Sequence, residues 1–173
     1  NPFLYFVSHS DEQLIEAVRK GRAKEFEAFH QGEKAPDPQN PDTFLRSKLA
    51  WDCLKEAKHQ TMHRWYKDLI HLRKLHPDVL GTQRHNVQVS CDNDLSLLWI
   101  IRSSGDDKIL ICINFSSSRR DAVSIDPVIS QSSWNVLLYS AEEKWQGKAS
   151  KTPDFQNGKI SGLEAESVII CKS

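Results

Sequence analysis

Charge bias is the first thing this sequence lacks. Lys plus Arg total 23, and Asp plus Glu total 23. A balanced surface gives no electrostatic drive toward nucleic acid or an anionic membrane. A neutral sugar polymer would need none. Long apolar runs are also missing. The opening Asn1-Pro2-Phe3-Leu4-Tyr5-Phe6-Val7 is too short to span a bilayer and lacks the basic flank of a signal peptide. It carries no initial Met. An aromatic-rich opening makes a poor free terminus, because termini are ordinarily polar and loose. The chain is therefore expected to be cut from something longer. None of Cys53, Cys91, Cys112 and Cys171 stands in a Cys-x-x-Cys pair, which disfavours a zinc knuckle or a dithiol redox motif. Their wide spacing fits reduced, buried thiols in a cytoplasmic protein. No P-loop, dinucleotide-binding glycine pattern or Gly-x-Ser-x-Gly elbow occurs, and no cofactor is expected.

What is present reads as ordinary soluble globular protein, 39% hydrophobic and 27% charged. A length of 173 residues allows one compact domain, or a small domain with a piece of another attached. Two textures divide it. Residues 1–78 are helix-like and rich in His, Lys and Arg; residues 79–173 are strand-like and punctuated by turns. The first helix should start near Ser10 or Asp11, with Leu14, Ile15 and Val18 on one side. Gly21 is positioned to end or interrupt it, and Ala23 to Phe29 reads as a second stretch with Phe26 and Phe29 as a buried pair. Pro36, Pro38 and Pro41 make a fixed-course loop, followed by Asp42 as an N-cap for a turn carrying Phe44 and Leu45. The strongest helix runs from Asp52 or Leu54 to Leu75. Its stripe is Met62, Trp65, Tyr66, Leu69, Leu72 and Leu75, and Pro77 stops it.

Strands are expected at Asn86–Cys91, Leu95–Arg102, Lys108–Phe115, Ala122–Ile125, Trp134–Tyr139, Lys159–Ser161 and Ser167–Cys171. Turn signals stand at Ser104-Gly105, Asp126-Pro127 and Asn157-Gly158. Short strands with no helices between them predict an antiparallel sandwich.

Local chemistry is sparse. His59 and His63 lie one helical turn apart, but Gln60 stands where a zinc protease needs Glu, so two exposed histidines is the plain reading and no metal site is assigned. Asn114-Phe115-Ser116 matches a glycosylation sequon but ends an apolar strand, so it is read as chance. Retaining glycoside hydrolysis needs two carboxyls about 5 Å apart. Asp92, Asp94, Asp106, Asp107, Glu142 and Glu143 lie in turns and read as solvated loop charges. Sugars stack on flat aromatic faces, which singles out Trp145 and Trp134 as glucan-stacking candidates. The competing reading for Trp145 is a ring folded over its own sheet. Trp65 and Trp99 fit core positions.

The string Trp65-Tyr66-Lys67-Asp68-Leu69-Ile70-His71-Leu72-Arg73-Lys74-Leu75-His76-Pro77 resembles the last helix of the α-amylase superfamily barrel, which a small antiparallel β-domain follows. Asn114-Phe115-Ser116 resembles the ending of that domain's third strand, and Ser167-Val168-Ile169-Ile170-Cys171 resembles its last strand. Upstream, Pro2-Phe3-Leu4-Tyr5-Phe6, Leu14 to Arg22, Pro36-Asp37-Pro38-Gln39-Asn40-Pro41-Asp42-Thr43-Phe44 and Ser47-Lys48-Leu49 are similar to the maltooligosyltrehalose trehalohydrolase family. Ser8 departs from that pattern, where an acidic residue more often precedes the His.

The resemblance implies an α+β fragment. Helices left from the end of a TIM (β/α)8 barrel occupy 1–78, and an antiparallel β-sandwich C-terminal domain occupies 79–173. It implies release of trehalose from maltooligosyltrehalose by a retaining mechanism using an Asp nucleophile, a Glu acid/base and a second Asp. These come from barrel strands ahead of this stretch, so no catalytic residue is assigned here. It also implies that the loop after the eighth strand reaches the rim of the site. Phe3, Tyr5, Phe6 and His9 are the rim candidates; the alternative is that they pack the loop on the barrel. The expected partners are an α-glucan and the missing barrel, with self-association of the fragment as a further expectation. An α-amylase, a branching enzyme or a glucan-binding β-module are the alternative functions.

Overall fold

The computed structural model describes residues 4–29, 35–81, 86–124, 133–156 and 158–173. They form two compact units, Asn1–Leu54 and Lys55–Ser173.

The first unit holds α1 (Glu12–Phe29) and α2 (Pro41–Ser47). Asp11 caps α1: its Oδ1 accepts from Leu14 N–H at 2.8 Å, and its carbonyl accepts from Ile15 N–H at 3.0 Å. Gly21 does not break the helix. A single glycine costs only about 1 kcal/mol, and α1 runs through it without interruption. Leu14, expected on the packed side, is 45% exposed, while Ile15, Val18 and Phe26 are half-buried. The side chain of Phe29 lies outside the described residues. The cap of α2 is Asn40 rather than Asp42: Asn40 Oδ1 accepts from Asp42 N–H at 2.8 Å, and Pro41 takes the first helical position.

The expected long helix is divided. A 3₁₀ turn spans Trp51–Lys55, Glu56 is extended, and α3 (Ala57–Leu75) follows. Pro77 ends α3, as the restriction on His76 requires, and then opens a one-turn helix, α4 (Pro77–Leu80), that the sequence reading missed. The strands are β1 (Val87–Asp92), β2 (Leu97–Ser104), β3 (Asp107–Asn114), β4 (Val123–Ser124), β5 (Asn135–Tyr139), β6 (Asp154–Gln156), β7 (Lys159–Ser161) and β8 (Ser167–Lys172). Strand β6 was also missed. The Asp126-Pro127 turn, Ile125 and Asn157 lie outside the described residues. Two antiparallel sheets result, β1-β2-β3-β8-β5 and β4-β7-β6. The β2–β3 hairpin turns at Gly105, whose φ of +57° suits a residue without Cβ.

Strand alternation gives the five-stranded sheet two buried faces. Leu97, Ile101, Leu110, Cys112, Ile169 and Cys171 join Val123 and Ile160 of the smaller sheet in one apolar cluster. Ile109, Leu138 and Ile170 point the other way, into a cluster with Val79, Trp65, Leu69 and Leu72. A register shift between Val136 and Leu138 lets Val136 and Tyr139, three residues apart, share the first face. Helix α3 thus uses Trp65, Leu69 and Leu72 to cover the sheet. Met62, Tyr66 and Leu75, expected on the same stripe, are 55%, 59% and 59% exposed. Burial pushes the Cys112 thiol up to about 12 and raises that of Cys171, so both stay protonated. All four cysteines are free, but Cys91 is exposed and Cys53 half-buried, so the expectation of burial holds for only two.

Candidate functional site

The segment that carries the rim candidates is pinned by backbone bonds within the first unit. Val7 N–H donates to Pro38 O at 2.8 Å, and Leu4 N–H donates to Ser47 Oγ at 3.2 Å. His9 N–H donates to Gln39 Oε1 at 3.3 Å. The proline loop is itself anchored to α1. Arg19 makes a two-toothed contact with Asp37, Nε to Oδ1 at 3.0 Å and the second guanidinium nitrogen to Oδ2 at 2.9 Å. That guanidinium, with the N–H of Gln39, holds the Asp37 carboxyl below the usual carboxylate range. Thr43 Oγ1 donates to Asp37 O at 2.7 Å and is buried.

These ties form a pocket of about 320 Å³ walled by Phe6, Ser8, Gln39, Asn40 and Phe44. Phe6 and Phe44 meet edge to face, centroids 4.9 Å apart at 69°. They remain 45% and 44% exposed. The Arg22 guanidinium lies 4.8 Å from the Tyr5 ring centre. Phe6 therefore lines a pocket, His9 lies outside its wall and touches it only through the N–H bond to Gln39, Tyr5 stands beside Arg22, and Phe3 lies outside the described residues. Gln39 and Phe44 were not singled out as site residues. No local pattern links Phe6 to a ring 38 positions away.

The stacking candidates sit in the second unit. Trp145 closes a 3₁₀ turn, Glu143–Trp145, and meets Trp65 edge to face, centroids 5.1 Å apart at 80°. Its ring is half-buried and its Nε1 is shielded from solvent with no hydrogen-bond partner among the described residues. Gly147 is required beside it, because a Cβ there would stand 2.0 Å from Ala141 O. Trp134 is half-buried against the cluster shared by both sheets. A second pocket, about 440 Å³, is walled by Trp65, Phe115, Ser140 and Glu166.

The loop acids do local work. Asp92 Oδ1 accepts from Leu95 N–H at 2.9 Å, Asp107 pairs with Lys172 at 3.0 Å, and Glu142 pairs with Lys144. Asp94, Asp106 and Glu143 are exposed. His59 Nε2 is 3.6 Å from a Glu56 carboxylate oxygen, and His63 is exposed. Asn114 is 1% exposed and fully used. Its Nδ2 donates to Ser118 O at 2.9 Å and Glu164 O at 2.8 Å, and its Oδ1 accepts from Ser116 N–H at 3.0 Å. An amide bonded on both sides in the core offers nothing for glycan attachment, which explains the sequon as a structural string.

No family model matches the chain. It is 37% identical over 121 residues to malto-oligosyltrehalose trehalohydrolase of Deinococcus radiodurans, which covers 69% of this chain and 20% of the relative. It is 32% identical over 137 residues to the protein of the same name from Brevibacterium helvolum, covering 79% of this chain and 23% of the relative. A crystal structure of a Salmonella typhimurium protein named as an alpha amylase superimposes over 99% of this chain and 26% of its own, with TM-score 0.70 and 25% identity. The chain thus spans about a fifth of the length of the curated relatives it matches.

Proposed function

Because this chain belongs to the malto-oligosyltrehalose trehalohydrolase family, over about a fifth of its relatives' length, we propose that it is the C-terminal part of a glycoside hydrolase releasing trehalose from maltooligosyltrehalose. The observation that carries this reading is the 37% identity over 121 residues, which runs through helical and strand segments alike. In this reading residues 1–78 are the end of a TIM barrel and residues 79–173 a β-sandwich domain. The catalytic Asp, Glu and Asp belong to the stretch of the relatives that this chain does not span. The two sheets sharing one cluster support the sandwich. The exposed Met62, Tyr66 and Ile70, 55%, 59% and 54% accessible and spaced by four, support a helix built to lean on something besides its own sheet. That partner is the barrel. Tyr5, Phe6 and His9 belong to the rim of the glucan site, and Phe3 is placed with them by sequence alone. Free cysteines support a cytoplasmic location; among the described residues no helix is long and apolar enough to cross a membrane.

The second reading is a glucan-binding module, favoured by the pocket beside Trp65 and Phe115. Calorimetry of the chain with a long maltooligosaccharide tests the second, and no heat at millimolar ligand counts against it; product analysis tests the first. The full-length protein that contains this chain is expected to release trehalose from maltooligosyltrehalose, and the chain alone is expected to release none. Maltose or glucose without trehalose from the full-length protein points instead to an α-amylase. Turnover by the chain alone overturns its non-catalytic assignment.

A further inference from the structure

The two sheets of the second unit end in the edge strands β1, β5, β4 and β6. A free edge offers unpaired backbone N–H and C=O groups to any other strand, and folded proteins blunt it by shortness, charge or a bulge. Strand β4 spans only Val123–Ser124, and β6 has three residues with Asp154 at its start. Strand β5 carries the register shift between Val136 and Leu138. Strand β1 has none of these devices. It is six residues long, pairs with β2 in unbroken register, and holds no Lys, Arg or Pro. Its single charge, Asp92, stands at its end.

The alternation of the ladder fixes which groups this edge presents. Ser103 N–H donates to Asn86 O at 3.1 Å, so even-numbered positions of β1 bond inward to β2. Phe115 N–H donates to Ser96 O at 2.9 Å, which turns the even positions of β2 toward β3 and leaves its odd positions for β1, in agreement. The N–H and C=O groups of Val87, Val89 and Cys91 therefore point outward. Among the described residues no hydrogen bond outside the β1–β2 ladder reaches them. The side chains of the same three residues share one face. There Val87 and Val89 are 37% and 60% exposed, and Cys91 is exposed as well. Outward backbone groups and exposed apolar side chains thus coincide at alternate positions.

We propose that β1 is a dimerisation edge, which pairs antiparallel with β1 of a second copy of this chain about a two-fold axis at Val89. The strand is complementary to itself in that register. Val89 stands opposite Val89 of the second copy, and Val87 opposite Cys91 of the second copy. It is the register in which all three outward-facing residues meet one another, so each pair exchanges two N–H···O bonds. Their side chains meet on one face as apolar cross-strand pairs. Asp92 falls opposite Asn86 of the second copy, so no like charges are set together. A two-fold pairing closes on itself, and the far edge of each sheet is the shifted strand β5. The inference is independent of the trehalohydrolase reading.

The test is sedimentation velocity of the 173-residue chain over a concentration series into the millimolar range, with amide exchange followed in parallel. A concentration-dependent dimer is expected. The amides of Val87, Val89 and Cys91 should slow as concentration rises, while those of Gln88 and Ser90, already bonded to β2, stay unchanged. Val89→Lys sets like charges opposite each other at the axis and is expected to weaken the dimer about ten-fold or more. Val89→Pro removes an outward N–H without touching the β2 ladder, and should weaken it too. In a Cys91→Ser background, Val89→Cys brings two thiols to a pair whose Cα atoms lie about 5.5 Å apart. That is within disulfide reach, so mild oxidation should give a covalent dimer. A chain that stays monomeric at millimolar concentration overturns the proposal. So does a dimer that both Val89→Lys and Val89→Pro leave at wild-type strength, or one lost instead in Tyr66→Lys, on the exposed side of α3. Protection of the three amides that does not depend on concentration, in the chain or in the full-length protein, means that the same polypeptide covers the edge, and it overturns the proposal as well.

Discussion

In the second unit, Lys55–Ser173, apolar side chains from both faces of a five-stranded sheet are closed off from water. Tyr139, Ile109, Leu110, Ile160, Leu163 and Ile169 are each fully buried. In the first unit, Asn1–Leu54, the described residues reach that state only at Pro38 and Thr43. There the order comes from hydrogen bonds and one bidentate ion pair, while Leu49 and Trp51 stand 62% and 71% exposed. The difference teaches what each unit was shaped to do. A sheet that buries both faces carries its own hydrophobic driving force. A helix, a proline loop and a short second helix that leave their large side chains in water have their order specified but not their burial. That is the expected condition of a piece whose apolar partner is elsewhere.

The largest test of this contrast is a matched pair of truncations. Leu110→Ala, at a fully buried position, is expected to cost about 2–5 kcal/mol in urea unfolding followed by far-UV circular dichroism. Leu49→Ala, at a 62% exposed position, is expected to stay within about 0.5 kcal/mol. Equal losses would break the comparison. A smaller effect of opposite sign is expected at Gly21. It is exposed in the middle of α1, and an added Cβ would meet nothing within 4 Å. Gly21→Ala should raise stability by about 0.5–1 kcal/mol, visible as greater helicity of the first unit with no change in the strands.

The smallest effect concerns acid. The Asp37 carboxyl titrates lower when folded than when free, so its contribution is present above the ordinary Asp value of about 3.9 and disappears as pH falls through the lowered folded value. Because the pair is about 40% exposed, solvent screens it and the contribution is small. Acidification is expected to loosen the loop in the wild type. Arg19→Ala, which removes the main cause of the lowered value, should flatten that dependence. The readout is the amide resonances of residues 37–43 followed against pH.

Much of the second unit was legible because its signals are local. The run Ile109 to Ile113, the Ser104-Gly105 turn and Ser167 to Cys171 each announce a strand or its end, and the chain pairs them as β2, β3 and β8. Strand β6 escaped because it has three residues, Asp154-Phe155-Gln156, with polar ends. Helix α1 runs through Gly21 because the helical pattern continues on either side and outweighs the cost of one glycine, a balance that the glycine signal alone does not reveal. The stripe on α3 was visible, but its division into a sheet-facing half and an exposed half was not. Periodicity reports that a face is apolar and is silent on what covers it. In the candidate site, Phe6 and His9 came from resemblance. Gln39 did not, because its signal is an amide filled at one end by a residue 30 positions away, which exists only once the chain is folded.

Native-state hydrogen exchange, run on this chain and on the full-length protein that contains it, tests the central contrast most directly. In the chain alone, amides of β3 and β8 are expected to exchange only by global opening of the second unit, and amides of α1 to exchange orders of magnitude faster; in the full-length protein α1 should slow sharply while β3 and β8 change little. If α1 is as protected as β3 in the chain alone, or gains nothing in the full-length protein, the first unit is complete by itself and the account of a barrel remnant fails.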